Sequence, residues 1–235
     1  MERSAEQVRE NYKRITDRIG EAMAKYRKPE EQVQLMAVTK TVDPALVNVA
    51  VECGVRLLGE NRVQEYESKK AQYDPRAQVQ FIGQLQTNKV KYLIPEISMI
   101  QSVDSLHLAN EVERIAARAD KVQDILLEVN IGGEAAKSGF APQEVENAAA
   151  QAKEMGHVRV RGLMTIPPAD ATREENVVYF QKVQALYVDI NRKMYDNELE
   201  YLSMGMSGDF ADAIRAGANM VRVGTAIFGA RDYTK

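Results

Sequence analysis

Val33-Gln34-Leu35-Met36-Ala37-Val38, followed by Thr39-Lys40-Thr41-Val42 and then Asp43-Pro44, is the stretch on which the reading of this chain turns. The apolar run alternates well enough for a strand, and Asp43-Pro44 is a helix-start pair, so Lys40 falls at the C-terminal edge of a strand. That edge is where α/β proteins place their chemistry. A lysine there is equally at home as a solvated charge that stops strand extension, and position alone favours the solvated reading.

Outward from this stretch the pattern repeats. Asp43-Pro44 opens a helix that Gly54 ends, and residues 55–58 read as a second strand running into Gly59-Glu60-Asn61-Arg62. Further strands are expected at 79–82, closed by Gly83-Gln84, at 99–103, and at 125–130, closed by Gly132-Gly133. Three more follow at 158–165, stopped by Pro167-Pro168, at 199–204 and at 220–223. Helical stripes lie between them: Leu108, Val112 and Ile115; Val145, Ala148, Ala149 and Ala152; and Phe180, Val183, Tyr187 and Ile190. Eight strands alternating with helices predict a single (β/α)8 TIM barrel, with an open doubly wound sheet as the competing architecture. Ahead of the first strand, Ser4 and Gln7 carry a capping-box signature, and Val8, Tyr12, Ile15, Ile19, Met23 and Tyr26 recur at helical spacing. This extra N-terminal helix favours closure, because only a barrel brings the ends together and gives it a gap between strands eight and one to cover. One domain over 1–235 is expected, with the covering helix in 1–27 and the barrel in 33–229; no linker-like composition interrupts it.

Composition narrows the partners. A formal net charge of −3 with interspersed signs offers no basic stripe for nucleic acid. No stretch approaches the roughly 20 apolar residues of a membrane span, and the charged start Met1-Glu2-Arg3-Ser4 lacks a signal-type core, so a cytoplasmic protein is expected. The single cysteine, Cys53, reads as a small core residue beside Leu46, Val49 and Ala50. With His107 and His157 the only histidines, a histidine-based metal site is not expected.

In a barrel all strand C-termini share one face, which would gather Lys40, Asn61, Gln84, Met164, Ser207 and the Gly224-Thr225 pair. Loops after strands seven and eight of such barrels often bind phosphate. Here Met206-Ser207-Gly208-Asp209 opens a helix, so Ser207 could serve an anion or be a plain helix cap; the second glycine and hydroxyl of Gly224-Thr225 favour the anion. Arg222 stands inside the apolar run Met220-Val221-Arg222-Val223 and must meet an acid, a ligand or solvent. An amine, a phosphate cradle and a buried guanidinium at one mouth fit pyridoxal phosphate, whose sites pair a Schiff-base lysine with an Asp or Arg at the ring nitrogen.

Several segments also carry a resemblance: Ala37-Val38-Thr39-Lys40-Thr41, Gly59-Glu60-Asn61-Arg62, Phe81-Ile82-Gly83-Gln84-Leu85-Gln86-Thr87-Asn88-Lys89, Lys137-Ser138-Gly139-Phe140, Arg161-Gly162-Leu163-Met164-Thr165, Ser203-Met204-Gly205-Met206-Ser207-Gly208-Asp209 and Val221-Arg222-Val223-Gly224-Thr225-Ala226-Ile227-Phe228-Gly229. In order along nearly the whole chain, they closely resemble the pyridoxal phosphate homeostasis protein family. The resemblance implies an alanine-racemase-like barrel with the cofactor as a Schiff base on Lys40. It further implies phosphate contacts from Ser207, Gly224 and Thr225, Arg222 beside the ring nitrogen, and Asn61 and Met164 lining the ring. One departure stands out: the family usually has an aromatic and a histidine just before Phe81, where this chain has Val79-Gln80.

The expected function is therefore binding of pyridoxal phosphate and, as the resemblance implies, its buffering or delivery, with apo-enzymes that need the cofactor as recipients. A monomer is expected, and Lys137 has no assigned role. The alternatives are a pyridoxal-phosphate-dependent amino-acid racemase and a Schiff-base aldolase acting on a phosphorylated sugar. Against the racemase, a charged Arg222 disfavours a protonated ring nitrogen. Racemases of the resembling fold also take a second base from an added β domain, whereas after Gly229 this chain offers only Tyr233.

Overall fold

In the computed structural model, which describes residues 4–134 and 136–230, eight parallel strands close into a barrel in sequence order, the last pairing with the first. The open doubly wound alternative is thereby excluded. The strands are β1 (Gln34–Val38), β2 (Leu57–Glu60), β3 (Gln78–Phe81), β4 (Met99–Val103), β5 (Gln123–Val129), β6 (Val158–Thr165), β7 (Tyr201–Ser203) and β8 (Met220–Val223). The helices are α1 (Ala5–Tyr26), α2 (Pro44–Cys53), α3 (Val63–Lys69), α4 (Val90–Leu93), α5 (Leu106–Arg118), α6 (Val145–Lys153), α7 (Arg173–Met194), α8 (Phe210–Arg215) and α9 (Thr225–Phe228). Strands four, six and eight fall where the sequence predicts them. The second begins two residues later than expected and runs on through Gly59-Glu60, because Arg56 is spent on the turn, donating from Nη1 to the carbonyls of Val51 and Val55.

Alternation along each strand sorts side chains between the lumen and the surrounding helices. In β1, Met36 and Val38 face the lumen with Ile82 and Met220, while Ala37 packs outward on the α1 and α2 side. Met99, Leu126 and Met164 form a second lumen cluster. The larger apolar core lies outside the barrel, where Phe81, Ile100, Ile125, Leu127 and Leu163 meet the helices. Glycines permit the closest approaches. A Cβ on Gly83 would lie 2.1 Å from the Asn61 carbonyl oxygen, and one on Gly162, at φ +153°, would lie 1.8 Å from that of Tyr201.

Helix α1 closes the ring as expected, packing on α2, α8 and α9. Its Ser4 cap is present, with Oγ accepting from Gln7 N at 3.2 Å. The buried stripe is Val8, Asn11, Ile15, Ile19 and Ala22, rotated slightly from the predicted one, and Tyr26 is exposed. Asn11 explains the rotation: its Nδ2 donates to the Ile227 carbonyl at 2.9 Å, pinning α1 to the segment after strand eight. In α2 the buried face is Val47, Ala50 and Val51, which leaves Cys53 half-buried at its flank rather than in the core.

Among the described residues no helix is long and apolar enough to cross a membrane, and no cluster of three or more His, Cys, Asp or Glu is arranged to hold a metal. Tyr233 and the charged start Met1-Glu2-Arg3 lie outside the described residues.

Candidate functional site at the C-terminal mouth of the barrel

Lys40 occupies a tight turn. The Thr39 carbonyl accepts from Val42 N at 3.0 Å, and Thr41 is held at φ +59°, a left-handed conformation that costs a β-branched residue about 1–3 kcal/mol. The strain is held from behind. Thr41 N donates to Glu65 Oε1 at 2.5 Å, Lys69 Nζ reaches both Glu65 Oε1 and, at 3.4 Å, the Thr39 carbonyl, and Thr39 Oγ1 donates to Glu60 Oε1 at 2.5 Å. Tyr73 OH donates to the same Glu60 oxygen. Burial pushes the Glu60 carboxyl up, while these donors and the nearby Lys69 charge pull it down, leaving it net raised. The lysine-bearing turn thus rests on a buried polar clamp outside the barrel wall, with the Lys40 side chain on the mouth side.

That mouth holds a cavity of about 270 Å³. Lys40, Asn61, Ser207, Gly208, Arg222, Gly224 and Thr225 line it, with Val38, Ile82, Ile166 and Met206 as its apolar wall. Six of the seven residues expected to hold the cofactor therefore converge here. The exception is Met164, which is fully buried against Met99 and Leu126 deeper in the lumen, because its place on β6 is one layer below the rim. Gln84, also expected at this mouth, is exposed and does not line the cavity.

Ser207 does not cap α8, the helix it precedes. The N-cap of α8 is Asp209, whose Oδ1 accepts from Met206 N at 2.6 Å, while Ser207 Oγ accepts from Gly224 N and Ala226 N, both at 3.3 Å. The loops after strands seven and eight are thus joined by one hydroxyl on which two backbone N–H groups converge. Asn61 contributes a buried Oδ1 without a hydrogen-bond partner, and an unpaired buried polar atom costs about 1–3 kcal/mol. A ligand that satisfies it would recover that cost.

Arg222 is 3% exposed. Its Nη1 donates to Ser203 Oγ at 2.7 Å and its Nη2 to the Thr165 carbonyl at 2.8 Å. Burial lowers its pKa to about 10, with Glu128 and Asp209 pulling the other way, so it stays charged at neutral pH. Burial likewise raises the Asp209 carboxyl, against the pull of the Met206 N–H and Arg222.

The comparisons with known proteins fall on this architecture. The family described as "Alanine racemase, N-terminal domain" matches residues 5–232. A protein of Aquifex aeolicus named pyridoxal phosphate homeostasis protein is 41% identical over 225 residues, covering 95% of this chain and 98% of the relative. The chain belongs to the pyridoxal phosphate homeostasis protein family. An Escherichia coli protein of the same name is 34% identical over 233 residues, covering 97% and 98% of the two chains. Among solved structures, PipY of Synechococcus elongatus, described with pyridoxal phosphate bound, superposes with a TM-score of 0.79 at 32% identity, covering 92% of this chain and all of that one.

In the lumen near Arg222 this homeostasis-family chain carries groups that sequence reasoning missed. Glu128 is one: Leu126 faces the lumen, so two residues further along β5 Glu128 does too. Burial, then the nearby Asp104 charge, raise its carboxyl to about 7, with Arg222 as the opposing influence. The signal was available as a charged residue in the otherwise apolar run Ile125-Leu126-Leu127-Glu128-Val129. Lys137 pairs with Glu134 at 2.7 Å and is not a lining residue of the cavity.

Proposed function

We propose that this chain binds pyridoxal 5'-phosphate at the mouth of its barrel, through Lys40, and buffers or delivers it in the cytosol to apo-enzymes, acting as a monomer. The observation that carries the reading is the convergence on one cavity of an amine, a buried guanidinium and a serine-centred cradle of backbone N–H groups. The cavity suits the cofactor in its polar particulars. Arg222 keeps donor capacity beyond its two protein bonds, Asn61 Oδ1 awaits a partner, and the wall of Val38, Ile82 and Ile166 is apolar enough for an aromatic ring.

Bound pyridoxal phosphate supplies an aldehyde for amines and, when its ring nitrogen is protonated, a sink for electrons. Each protein group then has a defined task. Lys40 offers the amine at the end of a turn that its neighbours hold in a strained conformation. Ser207 Oγ, which accepts from the N–H groups of Gly224 and Ala226, would offer its own hydrogen to the phosphate, with Thr225 at the exposed rim. Arg222 would meet the ring nitrogen and, being charged, would disfavour a proton there, which weakens the sink and suits storage better than turnover. Asn61 and the apolar wall would flank the ring, and Met164, packed on Met99 and Leu126, lies deeper in the lumen.

The test is transfer. Loaded protein, freed of unbound cofactor, should restore activity to an apo-enzyme in a coupled assay, and Lys40→Ala should not. Alanine racemisation by the loaded protein at about 1 per second or more, abolished by Lys40→Ala, would instead make it an enzyme.

A further inference from the structure

A continuous line of buried polar side chains crosses the lumen beneath Arg222. Arg222 Nη1 donates to Ser203 Oγ at 2.7 Å; Ser203 Oγ donates to Gln101 Oε1 at 2.7 Å; Gln101 Nε2 donates to Gln80 Oε1 at 2.6 Å and lies 3.0 Å from Met220 Sδ. These residues come from β8, β7, β4 and β3, and all are nearly inaccessible: Ser203 and Gln101 at 0%, Gln80 at 4%. Gln80 ends the line at a cavity of about 510 Å³ on the opposite, N-terminal face of the barrel, beside Gln34, Leu57 and Tyr201. Four polar groups packed among apolar lumen side chains such as Met36, Met99, Leu126, Met164 and Met220 are costly unless each is satisfied, and here each satisfies the next.

The line also has a direction. Gln101 spends its amide nitrogen on Gln80 and Met220, so its carbonyl must face Ser203. That carbonyl takes the serine hydrogen, and the serine lone pairs are left for Arg222. With the Thr165 carbonyl on Nη2, the guanidinium plane is fixed from two sides. The charged groups around Arg222 are Glu128 on β5, Asp209 after β7 and, across the shared cavity, Lys40. Among the described residues no carboxylate is within ion-pair distance of it, so neutral acceptors hold its position.

We propose that Ser203, Gln101 and Gln80 are positioning residues that orient Arg222 toward the cofactor's ring nitrogen, by a hydrogen-bonded line anchored at the opposite face of the barrel. This rests on the reading of Arg222 as the ring-nitrogen partner. It also gives a role to Gln80, the position where the resembling family usually has histidine. Glutamine accepts from Gln101 at every pH, whereas a histidine would stop accepting once protonated.

The experiment is a pH titration of the bound cofactor's visible absorption band in wild-type protein, Gln101→Met and Gln80→His, with borohydride capture at Lys40 run on each. Gln101→Met keeps the volume but removes the acceptor of the Ser203 hydroxyl. The serine oxygen is then no longer held to accept from Arg222, so the band's midpoint should move by about half a pH unit or more and cofactor retention should fall several-fold. Gln80→His should add a second step, absent from wild type, below the ordinary histidine value of about 6.5, because the position is buried. Failure to capture cofactor at Lys40 in wild type would overturn the proposed function and this inference with it. Capture at Lys40 with a wild-type band titration in Gln101→Met would overturn the positioning role alone. Should Gln101→Met not fold, Gln80→His decides: an added step supports the line, and a curve superimposable on wild type overturns it.

Discussion

Glu128→Gln should stabilise the cofactor-free protein, and by an amount that depends on pH. The substitution keeps the side chain's shape on β5 and removes only its ability to ionise. In the folded chain burial and the Asp104 charge hold the Glu128 carboxyl at about 7 rather than near 4.5. A carboxyl whose folded pKa is raised binds its proton more tightly in the native state. Its cost to folding is therefore absent below the unfolded value, builds as pH rises from about 4.5 to about 7, and is complete above that. Each tenfold change in proton affinity is about 1.4 kcal/mol, so the full cost is about 3 kcal/mol. Denaturant unfolding of wild type and Glu128→Gln at a series of pH values gives the comparison, provided both show the same m-value. The two proteins should be nearly equal in stability at about pH 4.5, and the variant should be more stable by about 3 kcal/mol at about pH 8. A difference that is the same at both ends of the range would refute the reasoning, because it would mean that Glu128 ionises in the fold as freely as in the unfolded chain.

Three further outcomes are expected. Ser207→Ala removes the hydroxyl between the two loops; a hydrogen bond to a charged group is worth about 1.5–3 kcal/mol, so pyridoxal phosphate affinity by titration should fall roughly tenfold to a hundredfold while colour still develops at high cofactor. Thr41→Gly relieves the positive φ beside Lys40 at some cost in chain entropy, and a net gain of about 1 kcal/mol would appear as a rise in Tm of about 2–4 °C; no rise would mean that the clamp of Glu65 and Lys69 makes that conformation effectively strain-free. Gly83→Ala should cost about 3 kcal/mol or more in a melt and weaken cofactor binding as well, since its Cβ would collide with the backbone of Asn61, a cavity residue.

Much of this architecture could be read from the sequence, for a physical reason. Val158–Thr165 alternates apolar and charged residues before Leu163-Met164 and is stopped by Pro167-Pro168, and Met99–Val103 carries Met99, Ile100 and Val103 in a short β-favouring segment. Long helices such as α6 and α7 carry stripes that repeat over several turns. The signal fails where an element is too short to show a period. Helix α3 buries only Val63 and Tyr66, and α4 only Val90 and Leu93, so neither was visible between its strands. At the site, residues that interrupt an apolar run or follow a strand were legible: Lys40, Asn61, Ser207, Arg222 and the Gly224-Thr225 pair all reach the cavity. What could not be read is depth within the barrel. Met164, one layer down, and the Gln80–Gln101–Ser203 line depend on the stagger of strands far apart in sequence, as does the partnership of Ser207 with Gly224 and Ala226 that displaces the helix-cap reading.

The claim that the mouth of this barrel is a cofactor site built on one lysine has a direct test. Protein incubated with pyridoxal phosphate is reduced with borohydride, digested, and its peptides mapped by mass. The account predicts a single reduced pyridoxyl adduct on the peptide containing Lys40, lost in Lys40→Ala. Labelling of Lys137 or Lys89 with Lys40 unmodified would contradict it.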